Sequence, residues 1–187
     1  MRTIRAAILL TVGLLACPAF ADDITDALDA ARKSYQSGDL TGAKQSADLA
    51  SQLIGQKNAE GFVTLLPKPL SGWTAEEAQA TAVGNTVFGA SQARRTYKNA
   101  KGDNVEVQIT GDSAIVAQMA PIFANPAIAG AMGKLIKVGS QRGIQTHQGD
   151  VQVVVNNKFL VMVTGSGQPA DKLAYAQAID FAKLSKM

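Results

Sequence analysis

Paired runs of alternating apolar and polar residues, a helical period before and after them, and a proline-rich break ahead of the strands predict an α+β protein. The expected architecture is an N-terminal αα-hairpin followed by an antiparallel sheet with helices packed on it. The chain divides into four stretches on this reading: an export signal over residues 1–21, a helical hairpin over 22–60, a proline-rich connector over 61–73 and an α+β domain over 74–187.

Arg2 and Arg5 give the leader a positive start, residues 6–16 are almost wholly apolar, and Ala19-Phe20-Ala21 is a small-x-small cleavage site before Asp22 and Asp23. The apolar run is shorter than the ~20 residues that span a bilayer as a helix, so cleavage after Ala21 into the periplasm is expected. A second reading stands beside it. Leu14-Leu15-Ala16-Cys17 is similar to the lipobox of bacterial lipoproteins, where the cysteine is acylated and tethers the protein to a membrane. Leu15 and Pro18 fit that pattern poorly.

Cleavage changes the composition. The formal charge of +3 rests on 18 basic and 15 acidic residues, and Arg2 and Arg5 leave with the signal. The mature chain of 166 residues is left with +1 and no cysteine, because Cys17 is the only one. A nearly neutral chain with scattered basic residues lacks the footprint of a nucleic-acid binder. Without a thiol it has no disulfide, thiolate metal site or cysteine nucleophile.

The first helix starts at Asp22 or Asp23 and carries Ile24, Ala27, Leu28, Ala31 and Tyr35 at helical spacing until Gly38. Asp39 or Thr41 restarts the chain into a second helix reaching about Lys57, with Ala43, Ala47, Ala50, Leu53 and Ile54 on one side. Ala31, Tyr35, Gly38-Asp39, Ala43, Ala47 and Ala50 resemble the small-residue positions of a tetratricopeptide unit, although the early aromatic and the closing proline of that family are missing. No second copy follows, and such repeats need about three units to stand alone. A single hairpin therefore leans on the next domain or on a partner, and a homodimer through the hairpin is one form that contact takes.

Pro67 and Pro69 forbid regular structure in the connector, which is expected to be stiff and extended and to deliver Trp73 to a fixed place. The pattern over residues 74–92 assigns neither helix, strand nor loop. Residues 93–98 alternate, residues 99–103 turn, and residues 104–110 alternate again, with Val105, Val107 and Ile109 inward and Glu106 and Gln108 outward. Asp112-Ser113 caps a helix over residues 114–124 that stops at Asn125-Pro126, and small residues follow to Gly133. Leu135, Ile136 and Val138 then predict a strand, followed by residues 144–147, a turn at Gln148-Gly149-Asp150, strands at 151–155 and 159–164 joined by Asn156-Asn157-Lys158, and a helix from Pro169 bearing Leu173, Ala176, Ile179 and Phe181-Ala182.

This order, from Leu65-Leu66-Pro67 and Gly72-Trp73 through paired strands, a helix and a meander to a terminal helix, resembles the PsbP/Mog1-type α/β/α sandwich. It is similar as well to uncharacterised exported proteobacterial proteins that join a helical hairpin to such a domain. The resemblance implies a protein that binds other proteins or assists membrane complexes.

Candidate chemistry is sparse. His147 is the only histidine, beside a turn with Gln148 and Asp150, and no Gly-x-Ser-x-Gly elbow singles out a serine to join it. Gly165-Ser166-Gly167 enters a helix, as anion-binding loops do, but lacks dinucleotide spacing and a phosphate-binding lysine. Glu76 and Glu77 are adjacent, so their side chains diverge on a helix or strand. Met119, Met132 and Met162 are isolated core fillers. Arg94, Arg95, Tyr97 and Lys98, near Trp73, form the best recognition surface, with Arg95 and Tyr97 on one strand face and Arg94 and Lys98 on the other. The expectation is a non-catalytic periplasmic or envelope binding or accessory protein, with no cofactor, no metal and no nucleic acid. Its partner is an envelope protein or small ligand, and it touches membrane only if Cys17 is lipidated. The alternatives are a small hydrolase using His147 and a carrier of an apolar ligand.

Overall fold

The computed structural model describes residues 22–83, 90–111 and 114–187. The leader with Cys17 and the Asp112-Ser113 cap lie outside the described residues.

Two helices, α1 (Asp23–Gln36) and α2 (Leu40–Val63), form the N-terminal hairpin. Asp22 caps α1 by accepting from the Thr25 N–H at 2.9 Å. That bond holds its carboxyl below the usual carboxylate range. Asp39 caps α2 in the same way, accepting from the Gly42 N–H at 2.9 Å. Between them Gly38 takes a φ of +83°, a left-handed conformation that costs glycine little. The second helix outruns its expected end near Lys57 by about a turn and a half, and the reason is burial. Continuing to Val63 inserts Phe62 into the core, and the turn after it seats Leu65, Leu66 and Pro67 there too.

Residues 64–72 are thus part of the packed interior at their start. The chain then enters β1 (Trp73–Ala75), β2 (Gln79–Val83), β3 (Ala90–Asn99) and β4 (Asn104–Gly111). Helices α3 (Ala114–Ala124) and α4 (Pro126–Met132) follow, then the meander β5 (Gly133–Val138), β6 (Gln141–Thr146), β7 (Val151–Val155) and β8 (Phe159–Thr164), then α5 (Pro169–Gln177) and α6 (Phe181–Leu184). The described part of residues 74–92, for which the sequence pattern assigns no element, is therefore largely strand. Asn125-Pro126 both stops one helix and starts another: the Asn125 side chain accepts from the Ala127 N–H at 3.0 Å, and proline suits the first helical turn.

All pairings are antiparallel, in the order β1-β3-β4-β8-β7-β6-β5, with β2 beside β1 on the same edge of β3. Register sets the faces. Tyr97 lies opposite Val105, Arg95 opposite Val107 and Ala93 opposite Ile109. Val107 and Ile109 lie in turn opposite Val163 and Val161, which face Val151 and Val153. These valines, with Phe62, Leu65 and Leu66 beneath α2 and Tyr175, Ile179, Phe181 and Leu184 of α5 and α6, form the main core. On the opposite face Ile144 and Leu160 are buried, as are Val116 of α3 and Ala129 of α4. Helices thus cover one face along its length and the other near β5–β7. Helix α1 rests on α2 and buries only Ala27.

Candidate functional site

The site begins with an interruption. Strand β1 pairs with Tyr97, Lys98 and Asn99, while β2 pairs with residues 90–94 of the same strand. Between them residues 76–78 leave the edge beside Arg95 and Thr96, held by one bond from the Glu76 N–H to the Thr96 carbonyl at 2.9 Å. The gap is a notch of about 190 Å³ lined by Glu76, Glu77, Gln79, Arg94, Arg95, Thr96 and Glu106. Glu106 comes from β4, directly across from Thr96.

Three acidic residues and two arginines border this space, Arg94 from the outer face of β3 and Arg95 from the face it shares with Tyr97. Lys98 Nζ meets Glu76 Oε1 at 2.6 Å, but both side chains are half exposed, so the pair contributes on the order of 0–1 kcal/mol. Arg94 Nε donates to Gln79 Oε1 at 2.7 Å. Arg95 differs from both. Its Nε is buried and has no hydrogen-bond partner. A buried donor without an acceptor costs about 1–3 kcal/mol, although the same side chain also hydrogen-bonds Tyr97.

Of the expected recognition surface, Arg94, Arg95 and Lys98 gather at or beside the notch, while Tyr97 and Trp73 do not. Tyr97 does share the face of Arg95, but that face is the core face. Its hydroxyl donates to the Pro67 carbonyl at 2.6 Å, and its ring lies 4.3 Å from that of Tyr175. Burial pushes the Tyr97 hydroxyl up to about 12, with Arg95 beside it pulling the other way. Trp73 packs edge-on against Tyr175 at 5.6 Å and plugs the core margin. Burial raises Tyr175 as well, and the Leu70 N–H on its oxygen at 3.2 Å offsets part of that.

The Gly165-Ser166-Gly167 loop turns its amides inward. Ser166 N–H donates to Asn104 Oδ1 at 3.2 Å and Gly167 N–H to the Asn104 carbonyl at 2.8 Å, so neither points at an anion. The Gly165 carbonyl instead accepts from Lys172 Nζ at 3.1 Å. This lysine, unremarked in the sequence, is 3 % exposed and also reaches Asp150 Oδ1 at 2.7 Å and the Gln148 carbonyl at 3.0 Å. Three N–H donors meet three acceptors, leaving none for a ligand. His147 sits exposed in the turn just before. Its ring has no hydrogen bond or ion pair among the described residues. No group of three or more metal-ligating side chains occurs among the described residues, and no helix there is long and apolar enough to cross a membrane.

Glu76, Glu77, Gln79, Thr96 and Glu106 were not legible as site residues. Each is ordinary alone, and only the break between two short strands assembles them. No family profile, curated protein or solved structure matches the chain.

Proposed function

We propose that this chain is an exported, non-catalytic binding or accessory protein of the bacterial envelope, recognising a partner protein through the notch between β1 and β2. The observation that carries the reading is the buried Nε–H of Arg95, which has no acceptor at the border of the notch. Size supports a partner group over a free ligand. Small-molecule pockets occupy about 300–1,000 Å³, whereas the notch holds about 190 Å³, room for a charged side chain or chain terminus. Arg95 and Arg94 suit a carboxylate of the partner, and Glu77 and Glu106 suit an adjacent amine or guanidinium.

The finer architecture belongs to the same proposal: a single tetratricopeptide-like hairpin joined to a PsbP/Mog1-type sandwich. Helix α1 offers a second contact, since it leaves Leu28 and Tyr35 exposed. The export-signal pattern of residues 1–21 supports a periplasmic location. Photo-cross-linking from position 79 in the native host tests the reading. A discrete adduct from position 79, absent from position 158 and lost in Arg95→Met, is expected. No adduct from position 79, or hydrolysis of generic ester, phosphate or peptide substrates abolished by His147→Ala, would refute it.

A further inference from the structure

We propose that the free edge of β5 docks an extended acidic-apolar segment of a partner protein, which joins the sheet as one more strand. This site lies at the opposite end of the sheet from the notch. Among the described residues, strand β5 ends the strand order and pairs only with β6. Gly139, with a φ of +58°, opens a two-residue turn that closes on Val138 opposite Gln141. In such a hairpin the closing pair is hydrogen-bonded and the pairs alternate from there. Val138 and Ile136 therefore spend their backbone groups on β6, while the N–H and C=O of Leu135 and Lys137 face outward. An extended segment satisfies those groups in the usual strand-addition mode.

Side chains beside the edge supply specificity. A groove of about 230 Å³, more apolar than polar, is lined by Phe123, Pro126, Leu135, Ile136 and Arg142. Leu135 and Ile128 are each 47 % exposed although both are large and apolar. Along this stretch of chain the charge has one sign. Residues 114–149 contain no aspartate or glutamate, and Lys134, Lys137 and Arg142 are all exposed.

That distribution selects the occupant. Two β5 edges brought together crowd Lys134 and Lys137 of both copies along one short edge, which disfavours a second copy of this chain. An anionic bilayer answers the lysines but offers no alternating donors and acceptors to an open strand. A partner strand with an apolar residue and, two positions on, an acidic one, both on the face that carries Leu135, Lys137 and Arg142, answers all three features: backbone groups, groove and charge.

The test uses the full mature chain and a synthetic, end-blocked ten-residue peptide repeating leucine-threonine-aspartate-threonine, which sets leucine and aspartate on one face, followed by fluorescence anisotropy. Binding should weaken with salt and protect the Leu135 and Lys137 amides from hydrogen exchange. Leu135→Asp and Lys137→Glu, both at exposed positions, should each weaken it at least about tenfold. The proposal is overturned if the peptide does not bind, if a lysine-containing counterpart binds equally, or if neither variant weakens binding. Self-association abolished by Leu135→Asp, or uptake by phosphatidylglycerol vesicles in place of the peptide, would overturn it as well.

Discussion

Replacing Lys172 by methionine keeps the length of the side chain and removes its charge. In the native protein Nζ draws together Asp150 Oδ1, the Gln148 carbonyl and the Gly165 carbonyl within 2.7–3.1 Å. Lys172→Met leaves a carboxylate and two carbonyls without their donor. Removing one partner of a buried ion pair costs about 3–5 kcal/mol. Asp150 keeps 21 % of its side-chain surface exposed, so water reaches it and the lower end applies, about 3 kcal/mol. For a chain of this size that lowers Tm by about 6–12 °C. Urea denaturation reports it directly, because the only tryptophan, Trp73, packs on Tyr175, three residues further along the same helix as Lys172. Asp150→Asn in the Lys172→Met background should recover part of the loss, since the uncompensated charge is gone. A loss under about 1 kcal/mol, with the double variant strictly additive, would refute the clamp.

Other consequences follow from the same geometry. Tyr97 holds its proton in the folded state up to about 12, against about 10 when unfolded. Between these values the folded chain binds more protons, so stability falls as pH rises through the window, by at most about 1.4 kcal/mol per unit for one group. Tyr97→Phe should flatten that fall in denaturation at pH 10–12, leaving only the smaller contribution of Tyr175. An unchanged slope would place the titration elsewhere. Gly165→Ala forces a side chain onto a φ of +124° and into the Asn104 carbonyl. It should destabilise by about 1–3 kcal/mol, and full stability in urea would contradict the close approach. Deleting residues 22–38 uncovers the side of α2 that α1 protects and should promote association by light scattering. A monomer of unchanged stability would remove the hairpin from the recognition scheme.

The strands were legible wherever one face is buried and the other wet. Val105, Val107 and Ile109 alternate without error, and the observed strand follows them. The face of Tyr97 was legible too, once the turn at residues 99–103 is used to set it across from Val105. Strand period alone could not say which face met the helices. Lys172 had a detectable signature: it falls in step with Tyr175 and Ala176, both buried at helical spacing on one side of α5. A lysine in phase with such a stripe is a buried cation seeking acceptors. The notch had none. Its residues come from three strands, β2, β3 and β4, and the gap between β1 and β2, and what gathers them is the three-residue excursion at 76–78, which leaves no periodic trace.

The central claim is that Arg95 is kept for a partner at the expense of the fold. Urea denaturation of Arg95→Met measures it most directly, because the methionine fills similar space without an unsatisfied donor. The account predicts a variant at least as stable as the parent, by up to about 1 kcal/mol, that no longer cross-links from position 79. A variant less stable by more than about 1 kcal/mol would show instead that the guanidinium holds the structure together.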